Sequence, residues 1–173
     1  KAASAAGAQV RHIVDSRVKE VAIPQCQLIK SWPLYRDVLE ADVLINMPIA
    51  KHHSISRVTL GFKNMMGMMG GDRGAIHNNF MTKIVDINSV IKPTLTIIDA
   101  CRVLMRNGPS GGHLADVMEK KTILAGSDRV AVDAYAMTLF NIKPFEVEYL
   151  RAANQRGMGE IDLAKVKISE INL

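Results

Sequence analysis

Lys51, His52 and His53 place one ammonium and two imidazoles in a single tripeptide. An ammonium holds an anion as a compact point charge, and an imidazole ligates metals or moves protons near neutral pH. Lys63 and Asn64 follow with a second ammonium and an amide, and Arg73 and His77 lie in and just after a Gly/Met-rich stretch. Asp99 closes the apolar run Leu95-Thr-Ile-Ile. As a set, Lys51, Lys63 and Arg73 suit an anion, with His52 and Asn64 as further ligand contacts. His53 and His77 suit a metal or proton transfer, and Asp99 a metal or a general base. A divalent metal would then rest on His53, His77 and Asp99, with His53 and Asp99 as the catalytic pair. Each residue also has a plain reading: a basic surface turn, a solvated helix face, a crossover loop, or a carboxylate paired with a nearby arginine.

The elements that must position these groups follow from periodicity. Val43, Leu44 and Ile45 form a short apolar run between Asp42 and Pro48, which reads as a strand over 42–47 covered on both faces. Lys51, His52 and His53 would then lie just past its carboxyl end, where open α/β sheets bind ligands. Strands are also expected at 17–23, 27–30, 95–99, 121–126 and 166–170. Ser31 and Pro33 suggest a helix start, with Leu34, Val38 and Ala41 on one face. Phe80, Ile84, Ile87 and Ile91 recur at helical spacing after Asn78 and Asn79. The run after Asp128 is apolar all round, as in a buried helix. Alternating strands and helices predict a layered α/β/α fold with a mostly parallel sheet. Parallel strands near 43–47, 95–99 and 121–126 would bring the basic cluster, Asp99 and Asp128 to one rim.

Other motifs carry less chemistry. The Gly67-Met-Met-Gly-Gly-Asp-Arg-Gly stretch suits a lid with glycine hinges or a simple crossover, and matches no nucleotide-binding fingerprint. Gly108-Pro-Ser-Gly-Gly-His113 could present backbone N–H groups to an oxyanion but reads first as a turn, and Ser110 lacks the surroundings of a hydrolase nucleophile. Asp133, inside an apolar helix, needs a partner and reads first as a structural hydrogen-bonder.

The 173 residues, 48% hydrophobic and 23% charged, fit one ordinary globular domain. Residues 1–16 read as the disordered leading edge of a longer protein, and 17–173 as a single α/β domain that is a fragment of it. A net charge of +5 favours anionic partners. There is no dense Lys/Arg run and only 5% aromatic content, so a small anion is expected rather than nucleic acid. No apolar stretch is long enough for a bilayer, so no membrane partner is expected. Cys26 and Cys101 supply no iron–sulphur ligand set and read as reduced thiols, which places the chain in the cytoplasm. A non-catalytic docking module is the alternative to a ligand site.

Five segments together resemble the domain-of-unknown-function 362 family. They are Ala41-Asp-Val-Leu-Ile-Asn-Met-Pro-Ile-Ala-Lys-His-His, Gly61-Phe-Lys-Asn-Met-Met-Gly, Ile97-Ile-Asp, Gly108-Pro-Ser-Gly-Gly and Ser127-Asp-Arg-Val-Ala-Val-Asp-Ala. The resemblance marks Lys51, His53, Lys63, Asn64, His77, Asp99, Asp128 and Asp133 as motif positions without assigning them roles. It also implies a longer protein. Many members are described as iron–sulphur centre proteins because they carry a separate ferredoxin-like segment, which implies a redox-associated enzyme with a ferredoxin-like domain or partner. That cysteine segment is missing from this sequence, so cluster binding does not carry over.

Overall fold

The computed structural model describes residues 1–172. A short helix, α1 (Ala2–Ala5), is exposed, as is everything up to Ser16. β1 (Val18–Ala22) then pairs antiparallel with β2 (Ser31–Tyr35). Here the sequence expectation fails: residues 31–35 are strand, and the helix, α2 (Arg36–Glu40), begins only after them. Pro33 is tolerated because this two-stranded ribbon leaves it at an edge. Residues 27–30 form no strand either. The backbone N–H groups of Gln27, Leu28 and Ile29 donate instead to the buried carboxylate of Asp86.

The main sheet has five strands: β3 (Ile45–Asn46), β4 (Ile49–His53), β5 (Arg57–Thr59), β6 (Leu95–Leu104) and β7 (Val117–Gly126). β3 and β4 both run parallel to β6, one after the other, interrupted at Met47 and Pro48. β5 turns back antiparallel on β4, and β7 turns back antiparallel on β6. The fold is therefore mixed α/β. Pro48 interrupts the first strand without ending it, so Lys51, His52 and His53 lie on β4 itself and not beyond a strand end. β6 likewise continues five residues past Asp99.

α3 (Gly61–Asn64), α4 (Phe80–Val90), α5 (Arg129–Thr138) and α6 (Glu148–Gln155) are the further α-helices, and short 3-10 turns, among them Met65–Met68 and Arg73–His77, lie between the elements. The helical spacing read from the sequence holds in α4, where Phe80, Ile84 and Ile87 are buried in the core together with Ile91 just beyond it. α5 is buried along most of its length and packs on β6 and β7. Core contacts from the sheet come from Ala50 on β4, Val58 on β5, and Ile98, Ala100 and Val103 on β6. On the alternate side of the pleat the strands are open: Ile45, Met47, Ile49 and Ile123 are 48%, 68%, 57% and 65% exposed. The apolar run at 43–45 is thus covered on one face only. Residues 166–170 form no strand.

Candidate functional site

β4 alternates its side chains, so Lys51 and His53 face one way and His52 the other. His52 Nδ1 accepts the backbone N–H of Gly108 at 3.1 Å, which ties the 108–112 loop to the strand. A Cβ on Gly108 would stand 2.3 Å from the His52 carbonyl oxygen, so only glycine permits this approach. The tie brings Pro109 to the rim of a pocket of about 390 Å³. Lys51 and His53 line that pocket together with Thr59, which pairs with Lys51 across the β4–β5 ladder.

The opposite wall is α3 and the turns that follow it. Lys63, Asn64, Met66, Gly67, Arg73, Gly74 and His77 complete the lining. Two buried polar groups fix α3. Asp133, wholly buried on α5, accepts the N–H groups of Gly61 at 2.7 Å and Phe62 at 3.1 Å, and the Tyr149 hydroxyl at 3.3 Å. Asn46 on β3 donates to the Gly61 carbonyl at 3.0 Å and accepts from the Asn64 amide at 2.7 Å. Helix and strand are thereby tied together, which places Lys63 in the lining of the same pocket as Lys51.

Five sequence-predicted cations and imidazoles therefore do meet: Lys51, His53, Lys63, Arg73 and His77, with Asn64 beside them. Two others do not. His52 faces the 108–112 loop, and Asp99 sits opposite Ile49, exposed, with its carboxylate accepting the Cys101 N–H at 2.9 Å. Asp128 is also elsewhere: because β7 runs antiparallel, the chain leaves it at the far end of the sheet, where Asp128 caps α5. The expected convergence of three parallel strand ends is therefore not how the site forms. The sequence does not single out Thr59, and Met66 and Pro109 lie inside motif segments without being marked as pocket residues, since an isolated threonine, methionine or proline points to no particular ligand. Asn46 carried a signal, a polar side chain inside an apolar run.

Hydrogen bonding fixes the imidazoles. His53, 7% exposed, accepts the N–H groups of Ile55 and Ser56 on Nδ1 at 3.1 and 3.3 Å. Its Nδ1 is therefore unprotonated and its proton is on Nε2. Burial, then the charges of Lys63 and its other cationic neighbours, pull its pKa down to about 4. His77 is the reverse: Nδ1 donates to the Gly74 carbonyl at 3.2 Å, so the neutral ring keeps an acceptor at Nε2. Among the described residues, no three His, Cys, Asp or Glu side chains converge closely enough to hold a metal ion.

A larger cavity, of about 620 Å³, lies between β7 and residues 166–172. It mixes Lys121 and Lys167 with Asp128 and Glu170, and has no imidazole. Its charges of both signs favour no particular ligand.

No helix among the described residues is long and apolar enough to cross a membrane. The chain is similar to a thylakoid-associated protein of Synechocystis sp., with 28% identity over 133 residues. That alignment covers 72% of this chain but only 40% of the relative, so the chain spans about two fifths of its length. No solved structure matches the chain. A family defined as a domain of unknown function (DUF362) matches residues 1–138, the portion that holds β3, β4, α3 and the whole pocket lining. The chain belongs to the DUF362 family.

Proposed function

We propose that the pocket between β4 and α3 binds a small anion. One observation carries this reading: Lys51, Lys63 and Arg73 converge with the Nε2–H of His53 on one pocket whose lining contains no carboxylate. Like charges brought together repel each other at a cost, which a bound anion offsets. The arrangement also favours an anion over a metal at His53. A metal at Nε2 would have to displace the proton that the two backbone bonds to Nδ1 place there. Thermal denaturation with phosphate, sulphate and small carboxylates tests the proposal. Ligand at a hundredfold excess over Kd stabilises the native state by about 2.7 kcal/mol. Absence of any shift with all three anion classes would refute it. A role within a longer, redox-associated enzyme rests on the family's ferredoxin-like segments, and is tested by assaying the full-length protein for electron transfer.

A further inference from the structure

Within the anion pocket, Lys63 differs from the other two cations. Arg73 is exposed, and Lys51 on β4 and Lys63 on α3 are both half-buried, so Lys63 stands apart by what its ammonium touches. Among the described residues it forms no ion pair. Its Nζ lies 3.0 Å from the Met66 sulphur and 5.4 Å from the centre of the Phe80 ring. A thioether and an aromatic face are weak partners for a charge. Burial, and then the charge of Lys51, hold its pKa below the ordinary lysine value. An amine in apolar surroundings beside a second cation is the arrangement that makes lysine a nucleophile toward carbonyl groups.

We propose that Lys63 forms an imine with small anionic carbonyl compounds, oxo acids whose carboxylate is held by Lys51 and Arg73. This deepens the anion-site reading and rests on it. The neutral amine adds to the carbonyl carbon, forming a C–N bond while the carbonyl electron pair moves to oxygen. The nitrogen proton passes to the free Nε2 of His77, whose ring packs on the same Phe80. Returned to the former carbonyl oxygen, it gives the neutral carbinolamine; the second nitrogen proton follows the same route and lets that hydroxyl leave as water, so amine plus carbonyl gives imine plus water with no change of oxidation state. Elimination leaves an electron-poor C=N, which can withdraw electrons from a neighbouring C–H or C–COO⁻ bond.

The test uses glyoxylate or pyruvate with cyanoborohydride, a hydride donor that reduces the imine to a stable secondary amine, followed by peptide mapping. Lys63 is expected to carry at least about tenfold more adduct than the mean of the other lysines, a ratio equal to about 1.4 kcal/mol of local preference. Phosphate is expected to protect Lys63, and Lys63→Arg to remove the adduct while keeping the charge. Uniform labelling of the lysines, in a protein still stabilised by phosphate, would overturn the imine and leave the anion site standing. Uniform labelling together with no stabilisation by any anion would overturn both.

Discussion

His53 and His77 stand with ring planes 7° apart and centroids 6.2 Å from each other, yet their protons are on opposite nitrogens. His53 faces the pocket as a hydrogen-bond donor and His77 keeps an acceptor. The two rings therefore differ in hydrogen-bonding character, a donor at Nε2 of His53 and an acceptor at Nε2 of His77. This division comes from the backbone groups behind each ring, Ile55 and Ser56 N–H in one case and Gly74 C=O in the other.

Nitrogen-15 NMR of the imidazoles reads this directly. His53 is expected as the Nε2–H form, and to remain neutral until about pH 4. Its folded pKa lies below the unfolded value of about 6.5, so the unfolded state binds the extra proton more readily between those pH values. The contribution of His53 to stability is therefore present above about pH 6.5 and lost as pH falls toward 4. A resonance that titrates near pH 6.5 would refute the assignment.

Neutralising Lys51 isolates the charge argument. Lys51→Met leaves the β4 ladder intact and removes one of three cations. The stabilisation by phosphate should fall by about 1–2 kcal/mol, in the range of a charge-assisted contact. In phosphate-free buffer the variant should be no less stable than the parent, because a repulsion has gone. Equal stabilisation by phosphate in both proteins would remove Lys51 from the site.

Gly61 has no room for a methyl group. A Cβ there would stand 2.7 Å from Asp133 Oδ1 and 3.2 Å from the Thr96 methyl. Gly61→Ala should destabilise the fold by about 1–3 kcal/mol, as overpacking in a close-packed core does. It should also weaken phosphate binding, because α3 carries Lys63 into the pocket. Urea denaturation with and without phosphate separates the two effects.

Burial raises the Asp133 carboxyl to about pH 7, against the opposing pull of the Phe62 and Gly61 N–H groups and the Tyr149 hydroxyl. The native state thus holds the proton more tightly than the unfolded chain, whose value is about 3.9. Stability from this group falls as pH rises from about 4 to 7, opposite in sign to the His53 contribution. Asp133→Asn should abolish that downward slope while lowering stability overall, since the new amide N–H₂ opposes a backbone donor. An unchanged slope in pH-dependent denaturation would show that Asp133 does not titrate there.

Asp86 binds the core to the 27–29 turn. Burial alone would raise its pKa, but three backbone N–H groups and Arg156 at 2.8 Å bring it below the usual carboxylate value. The ion pair is nearly closed to water, with side-chain exposures of 13% and 0%. Asp86→Ala leaves a guanidinium and three donors unpaired, and should cost about 3–5 kcal/mol. Thermal unfolding measures it.

Much of the pocket lining was legible in the residues themselves. The cluster at 51–53, with Lys63, Asn64, Arg73 and His77, forms one pocket apart from His52, which strand alternation turns away. α4 follows its apolar periodicity, because a helix face repeats within a few residues and needs no distant partner to be recognised, and α5 is the buried helix expected from the run after Asp128 that is apolar all round. Pro33 and Ser31 misled, since a cap and a first-turn proline also fit an edge ribbon, and pairing with β1 decided between them.

By itself the sequence determined which groups are available: three cations, three imidazoles, an apolar run broken by Pro48, and helices of recognisable apolar surface. Tertiary structure decided which of them meet. β7 returns antiparallel along β6 and takes Asp128 to the other end of the sheet, while Asp99 stays on the exposed side of a strand that runs on past it. Asp133 and Asn46, remote in sequence, fix α3 and so place Lys63. Strand direction and buried hydrogen bonds are pairings between distant segments, chosen by how the whole chain buries its polar groups, and no local spacing encodes them.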